Sequence, residues 1–272
     1  MLTPHQKAHF ETFGYLLVRH LFTPSEMSSI AREFDAIMDA DKEGRDPPTA
    51  QCGFHDVPCL EHMHSVYGFV EKPSLQWIAE DDRIYLTLQG LLGPGIAWMG
   101  SEGQRYMGET NWHPDGRHAD VRRIKTAIYL DPLTDDTGCL RVIPGSHRNP
   151  LHDAMQPLRD PASSPFGVGS ADVPSHPIET QPGDVLFFNM GLWHATFGGA
   201  KGRRQIAIVV SEHISTQVHL DFLSRGHEVT LKIMTGHQYD FRDGRMHEDS
   251  FLHSSRPRIK SMVSKLVELG YR

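Results

Sequence analysis

Between residues 96 and 210 the chain breaks into short apolar runs separated by turn residues. That texture constrains the fold more than any other feature of the sequence. Ile96-Ala97-Trp98-Met99 opens the series, and residues 122–130 form the second run. Residues 140–143 form a third, closed by Pro144-Gly145-Ser146-His147. After the turn Gln181-Pro182-Gly183-Asp184, Val185-Leu186-Phe187-Phe188 is a fourth run, which Trp193-His194-Ala195 is expected to continue. Residues 204–210 are the fifth. Several short strands with turn signals between them predict a sandwich or barrel.

The flanks read differently. Thr3 and Pro4 suit the cap and first position of a helix over residues 3–13, ended by Gly14 before the strand-like Tyr15-Leu16-Leu17-Val18. Thr23-Pro24-Ser25-Glu26 is a capping box opening a helix to about residue 42. Residues 43–60 read as a proline-bearing loop, and 72–92 as helical up to Gly93-Pro94-Gly95. Residues 148–178 form a long insertion, and 256–269 a closing helix. The expected class is mainly β with flanking helices. A single domain, 1–272, is expected: a mostly helical N-terminal region over 1–93, a β core of about 94–214, and a C-terminal extension and helix over 215–272.

Bulk properties exclude some functions. A net charge of -7 gives no electrostatic pull toward nucleic acid or anionic membranes. No stretch approaches the ~18 apolar residues of a membrane span. The start lacks a basic flank followed by an apolar run, so no signal peptide is expected. Three cysteines, Cys52, Cys59 and Cys139, are too few and too unevenly placed for a disulfide framework. They point to a reducing compartment, the cytoplasm.

Asn111-Trp112-His113-Pro114-Asp115-Gly116 is the stretch most suggestive of chemistry. On an extended strand, side chains two apart share a face, so His113 and Asp115 can form two corners of a metal site. Most isolated His-x-Asp pairs are surface pairs, and the surroundings must decide. His194, 81 residues further on in Gly191-Leu192-Trp193-His194, is the candidate third ligand. Two histidines and one carboxylate with open positions are the ligand set of non-haem Fe(II) oxygenases. Those positions leave room for a 2-oxo acid and O₂. The far carboxylate of such a co-substrate calls for an arginine. Arg203 and Arg204 are both candidates. Alternation places Arg204, Ile206, Ile208 and Val210 against a flanking layer, and Arg203, Gln205, Ala207 and Val209 toward a lumen, which favours Arg203.

Several segments together resemble the phytanoyl-CoA dioxygenase family of Fe(II)- and 2-oxoglutarate-dependent oxygenases. In order they are Phe13-Gly14-Tyr15-Leu16-Leu17-Val18, Trp112-His113-Pro114-Asp115, Tyr129-Leu130-Asp131, Gly138 to Pro144-Gly145-Ser146-His147, Gly183-Asp184-Val185, and His194 followed by an arginine. The resemblance implies a double-stranded β-helix (jelly-roll, cupin-like) core, with iron on His113, Asp115 and His194. It implies the 2-oxoglutarate carboxylate on the arginine after His194, with the Thr196 hydroxyl in support. Where the family usually carries an asparagine a few residues after the second histidine, this chain has Gly198-Gly199. Halogenating relatives carry a small residue at the carboxylate position, so Asp115 points to hydroxylation.

The leading expectation is therefore a dioxygenase that hydroxylates a small molecule and releases succinate and CO₂. Two alternatives stay open at this stage: a jelly-roll metalloenzyme without 2-oxoglutarate, such as a cupin-type isomerase or hydrolase, and a non-catalytic binding module. Arg105, Arg117 and Arg122 hint at an anionic substrate, with segments 43–70 and 148–178 as its readers. His147, Trp98 and Trp193 are expected to be structural. Arg117 and His118 read as a solvated loop, and His55, His62 and His64 as non-ligands.

Overall fold

The computed structural model describes residues 2–43, 63–106, 108–116, 121–160, 166–199, 203–236 and 245–271. The chain opens with α1 (Pro4–Phe13), where Thr3 and Gln6 cap each other reciprocally. Gly14 ends the helix at φ +85°, and a Cβ there would lie 2.5 Å from the His147 ring. Only glycine tolerates both conditions. β1 (Tyr15–Val18) and α2 (Pro24–Glu43) follow, the latter with the expected Thr23–Glu26 box. β2 (Met63–Tyr67) is an addition to the expected strands.

The helix expected over 72–92 is broken. A 3-10 turn, Phe69–Glu71, leads to α3 (Trp77–Glu80) and α4 (Asp82–Leu92). Asp81 leaves the helical conformation and accepts from the Arg83 backbone N–H, capping α4. Aspartate competes with helix continuation in this way.

The strand series is β3 (Ala97–Tyr106), β4 (Thr110–His113), β5 (Arg123–Tyr129) and β6 (Leu140–Val142), then α5 (Leu151–Ala154), β7 (His176–Ile178), β8 (Val185–Asn189), β9 (His194–Thr196) and β10 (Arg203–Ser211). The C-terminal region adds α6 (Gln217–Gly236), α7 (Asp249–Leu252) and α8 (Pro257–Glu268). α6 is a second addition. Gly226 and the β-branched Val229 and Thr230 dilute its helical signal.

All strand pairings are antiparallel. A major sheet runs β1-β8-β5-β10-β3-β2, and a minor sheet runs β4-β9-β6-β7. One face of the major sheet, with Leu16, Ile124, Phe187, Ile206, Ile208 and Val210, packs with apolar residues of α2, α4 and α8 in one cluster. Its other face, with Tyr15, Ala127, Tyr129, Leu186 and Phe188, packs on Leu140, Val142 and Ile178 of the minor sheet. Two facing sheets with helices outside the larger one make the jelly roll. The alternation expected for β10 holds: Ile206, Ile208 and Val210 join the helix-side cluster.

One expectation needs correction. Residues 193–195 do not continue the strand before them. Asn189 accepts from Gly191 N–H with its side chain and from Leu192 N–H with its carbonyl, and that tight turn sends β9 into the other sheet. Where it is described, the 148–178 segment is a cover for the minor sheet's outer face. Met155, Leu158 and Val173 are buried there with Trp112, Trp193 and Phe197.

Candidate metal centre and the pockets around it

β4 and β9 are neighbours in the minor sheet, with His113 opposite His194 and Thr110 opposite Thr196. Alternation turns Trp112 and Ala195 to the outer cluster, leaving the two histidines on the inner face. Asp115 follows two residues after His113. Its Oδ1 lies 3.8 Å from Nε2 of His113 and 3.8 Å from Nε2 of His194. One ligand atom from each of the three lies within 4.8 Å of the others, a grouping able to hold a metal ion.

The rings are oriented by backbone. Nδ1 of His113 lies 2.7 Å from the Asn111 carbonyl, and Nδ1 of His194 lies 2.9 Å from the Leu192 carbonyl. A carbonyl only accepts, so each Nδ1 carries a proton, which leaves Nε2 of each ring as the atom turned to the centre and able to bind a metal. The turn before His194 is itself pinned: Ser146 Oγ accepts from Trp193 N–H, and His152 Nδ1 donates to Ser146 and Gly191 carbonyls.

Behind Asp115 stands Lys125, with Nζ 3.1 Å from Asp115 Oδ2 and 3.5 Å from Glu102. Burial pushes the Asp115 carboxyl up, but Lys125, His194 and His113 together outweigh it and hold the group below the usual carboxylate range. Asp115 is therefore anionic, as a ligand must be. Sequence reasoning misses Lys125. Its signal is the alternation of Arg123, Lys125 and Tyr129 on the inner face of an otherwise apolar strand.

The two arginine candidates part company. Arg204 is engaged by carboxylates, Asp131 at 2.7 Å and Asp35 at 2.8 Å. Arg105 joins the same helix-side network through Asp35 and Asp39. Arg203 is buried and makes no ion pair among the described residues. Its guanidinium donates to the carbonyls of Gly138 and Gly108, lies over the Tyr106 ring at 4.7 Å, and leaves Nε without an acceptor. Burial lowers its pKa. Tyr106 OH reaches Thr110 Oγ1, and Thr110 N–H donates to Thr196 Oγ1 at 3.1 Å, so Thr196 joins the same cluster. Gly199 explains the departure from the family's asparagine. A Cβ there would meet the Gly108 carbonyl at 2.3 Å and the Arg203 guanidinium at 2.9 Å.

A cavity of about 430 Å³ opens beside the centre, lined by Asp115, Lys125, Glu102, Arg123, Met99 and Val209 together with residues of α6. Arg122, one of the arginines expected near substrate, pairs with Glu212 instead. Its neighbour Arg123 is the one that faces the cavity. Arg117 and His118 lie outside the described residues, as do His55 and His62. His64 pairs with Asp41 at 2.7 Å. His147 packs against Gly14, and Gly145 N–H bonds the Phe13 carbonyl, so two of the segments that carry the resemblance meet in space. Trp98 and Trp193 are core residues.

The model of the family described as phytanoyl-CoA dioxygenase (PhyH) matches residues 10–205, well over half of the chain. The chain belongs to the phytanoyl-CoA dioxygenase family. It is a 2-oxoglutarate-dependent dioxygenase with Fe(II) and 2-oxoglutarate as its cofactor and co-substrate. Family membership decides against the two alternatives left open by the sequence. Among its relatives, the ectoine dioxygenase of Sphingopyxis alaskensis is 22% identical over 227 residues, covering 72% of this chain and 71% of the relative. That of Bordetella bronchiseptica is 21% identical over 221 residues, covering 72% and 70%. Solved structures of similar fold include HygX from Streptomyces hygroscopicus with nickel and 2-oxoglutarate bound (TM-score 0.59, 19% identity, 79% of this chain and 89% of that one). EctD from S. alaskensis with bound Fe is another (TM-score 0.59, 21% identity, 78% and 77%). At these identities the structural likeness shows the jelly roll of the family. Among the described residues, no helix is long and apolar enough to cross a membrane.

Proposed function

We propose that this family member hydroxylates a small organic molecule, with Fe(II) on His113, Asp115 and His194 and the far carboxylate of 2-oxoglutarate on Arg203. One domain spanning 1–272 carries the activity. The observation that supports this most is the convergence of three ligand atoms, with both histidine rings oriented through Nδ1 by backbone carbonyls. Fe(II) with 2-oxoglutarate and O₂ supplies the oxidising power, and succinate and CO₂ are the co-products.

The chain's own groups do the positioning. The carbonyls of Asn111 and Leu192 fix the ring planes of the two histidines. Lys125 holds Asp115 by its outer oxygen, leaving the inner one directed at the histidines. Of the three residues that would hold the metal, Asp115 also lines the cavity, so a substrate held there would lie next to the centre. Arg203 presents a desolvated guanidinium with an unfilled Nε, and a carboxylate there would satisfy it. Thr196 Oγ1 already accepts from Thr110 N–H, so its own proton is available to the same carboxylate. Asp115 fills the position that halogenating relatives leave open, which supports hydroxylation.

Relatives named ectoine dioxygenase act on a small molecule, and a cavity of about 430 Å³ suits one here. The acidic net charge supports a small-molecule partner over nucleic acid. A buried free thiol at Cys139, pushed up to about 11 by burial, accords with a reducing, cytoplasmic setting. The test is succinate formation from 2-oxoglutarate across small acids, phosphonates, amino acids and acyl-CoAs. Substrate-stimulated, Fe(II)-dependent succinate is expected. A purified protein that forms none with any class would overturn the reading.

A further inference from the structure

We propose that Arg123 anchors an oxyanion of the substrate, a carboxylate or phosphonate attached to an apolar body, at the wall of the cavity beside Asp115. This deepens the hydroxylase reading above and rests on it.

Arg123 sits at the start of β5, on the face that carries Lys125 two residues later. One Nη donates 2.8 Å to the Gly116 carbonyl, next to Asp115, and the guanidinium lies over the Phe222 ring of α6 at 4.6 Å. Its Nε is buried and has no acceptor, and Arg123 makes no ion pair among the described residues. Burial lowers its pKa to about 10, with the charge of Asp115 opposing. A desolvated guanidinium without a counter-charge is costly to keep, and a bound anion would offset that cost.

The other charges around the cavity are accounted for. Lys125 is matched by Asp115 and Glu102. Glu71 is matched by His247. Arg225, also at the cavity, is exposed to solvent and donates its Nε to the Asp221 carbonyl. A bound metal draws further on Asp115, which leaves Arg123 as the desolvated cation with spare capacity among the described residues. A second cavity of about 300 Å³ shares Arg123 and Met190 with the first, and its remaining lining includes Gly116, Arg122, His147 and Arg148 and, among the described residues, no carboxylate. Arg123 thus stands between the cavity at the centre and a basic recess. Met99, Val209, Phe222, Leu223 and Val229 make the first cavity largely apolar away from its charged wall. An anionic head on an apolar body matches that layout, and a planar fork held on an aromatic face suits bidentate recognition.

The experiment uses three probes matched in size: hexanoate, pentylphosphonate and the neutral hexanamide. Binding is measured by calorimetry, without oxygen, on the full chain loaded with Fe(II) and saturating 2-oxoglutarate, so that Arg203 is already occupied. Wild type is expected to bind at least one anion on the order of tenfold more tightly than hexanamide. Arg123→Gln should abolish that preference, and Arg123→Lys should retain some of it. Equal binding of hexanamide and the anions by wild type overturns the proposal, and so does a preference that survives in Arg123→Gln. Binding of no anion at millimolar concentration overturns it as well. The wild-type comparison stands even where a variant does not fold. Failure of the dioxygenase reading shows separately, as absence of the visible band of the Fe(II)–2-oxoglutarate complex. The anion preference is still measurable then on metal-free protein.

Discussion

His113 and His194 are register partners across β4 and β9, their ring centroids 4.4 Å apart and both Nε2 atoms turned toward Asp115. A strand pairing therefore sets the spacing of two of the three candidate ligands. The third comes from the chain just past the end of the same strand. The centre depends on sheet register more than on any loop, and substitutions that leave the register intact should affect one function at a time.

Arg203 and Arg204 are adjacent in sequence and should behave differently. Arg203→Ala removes a buried guanidinium whose proposed partner is the co-substrate. It should raise the KM for 2-oxoglutarate by about 30-fold or more, the scale of losing one partner of a desolvated pair. Arg204→Ala breaks partly exposed bridges to Asp131 and Asp35. It should cost at most about 1 kcal/mol of stability and leave that KM close to wild type. Steady-state kinetics with 2-oxoglutarate as the varied component separates the two.

Gly199→Ala tests how tightly the arginine is cradled. The added methyl would sit within 2.9 Å of the Arg203 guanidinium and 2.3 Å of the Gly108 carbonyl. Overpacking of this kind costs about 1–3 kcal/mol. The KM for 2-oxoglutarate should rise while Fe(II) affinity, measured by titration without co-substrate, stays within about twofold. Equal loss of both would mean that the methyl disturbs the metal centre as well.

Glu71 and His247 form a buried pair at the cavity wall, 2.9 Å apart, with Trp98 Nε1 also donating to Glu71. Burial pushes Glu71 up, but His247, Trp98 and the Glu248 backbone outweigh it, and the net shift is downward. Burial pushes His247 down, and Glu71 outweighs it, for a net upward shift. The pair's contribution is therefore lost as pH falls through the depressed Glu71 value and as pH rises through the raised His247 value. His247→Gln should destabilise by about 3 kcal/mol near pH 6, with the gap to wild type narrowing in alkaline solution. Urea denaturation at both pH values measures it. A gap independent of pH would show that charge on His247 contributes nothing.

The β core is legible in the sequence because its strands carry their own punctuation, as at Gln181-Pro182-Gly183-Asp184 before β8. Period-two alternation in β10 separates Arg203 from Arg204 correctly, since a residue's face is a local property. What stays hidden is non-local. Residues 193–195 look like a continuation of β8, because nothing nearby states that Asn189 turns the chain into the other sheet. Arg105 and Arg122 look available for an anion, because their partners Asp35, Asp39 and Glu212 lie 66 to 90 residues away in sequence. Arg123 and Lys125 escape notice for the opposite reason. Charged residues in a strand read as exposed until a second sheet is known to cover them.

The most direct test of the central claim is an anaerobic titration of Fe(II) into protein holding 2-oxoglutarate, followed by visible absorbance. Wild type should develop a weak charge-transfer band as iron and co-substrate meet at the centre. His113→Ala and His194→Ala should show none, while keeping the cooperative unfolding of a folded chain. A band of equal intensity in either variant would contradict the assignment of the metal to His113, Asp115 and His194.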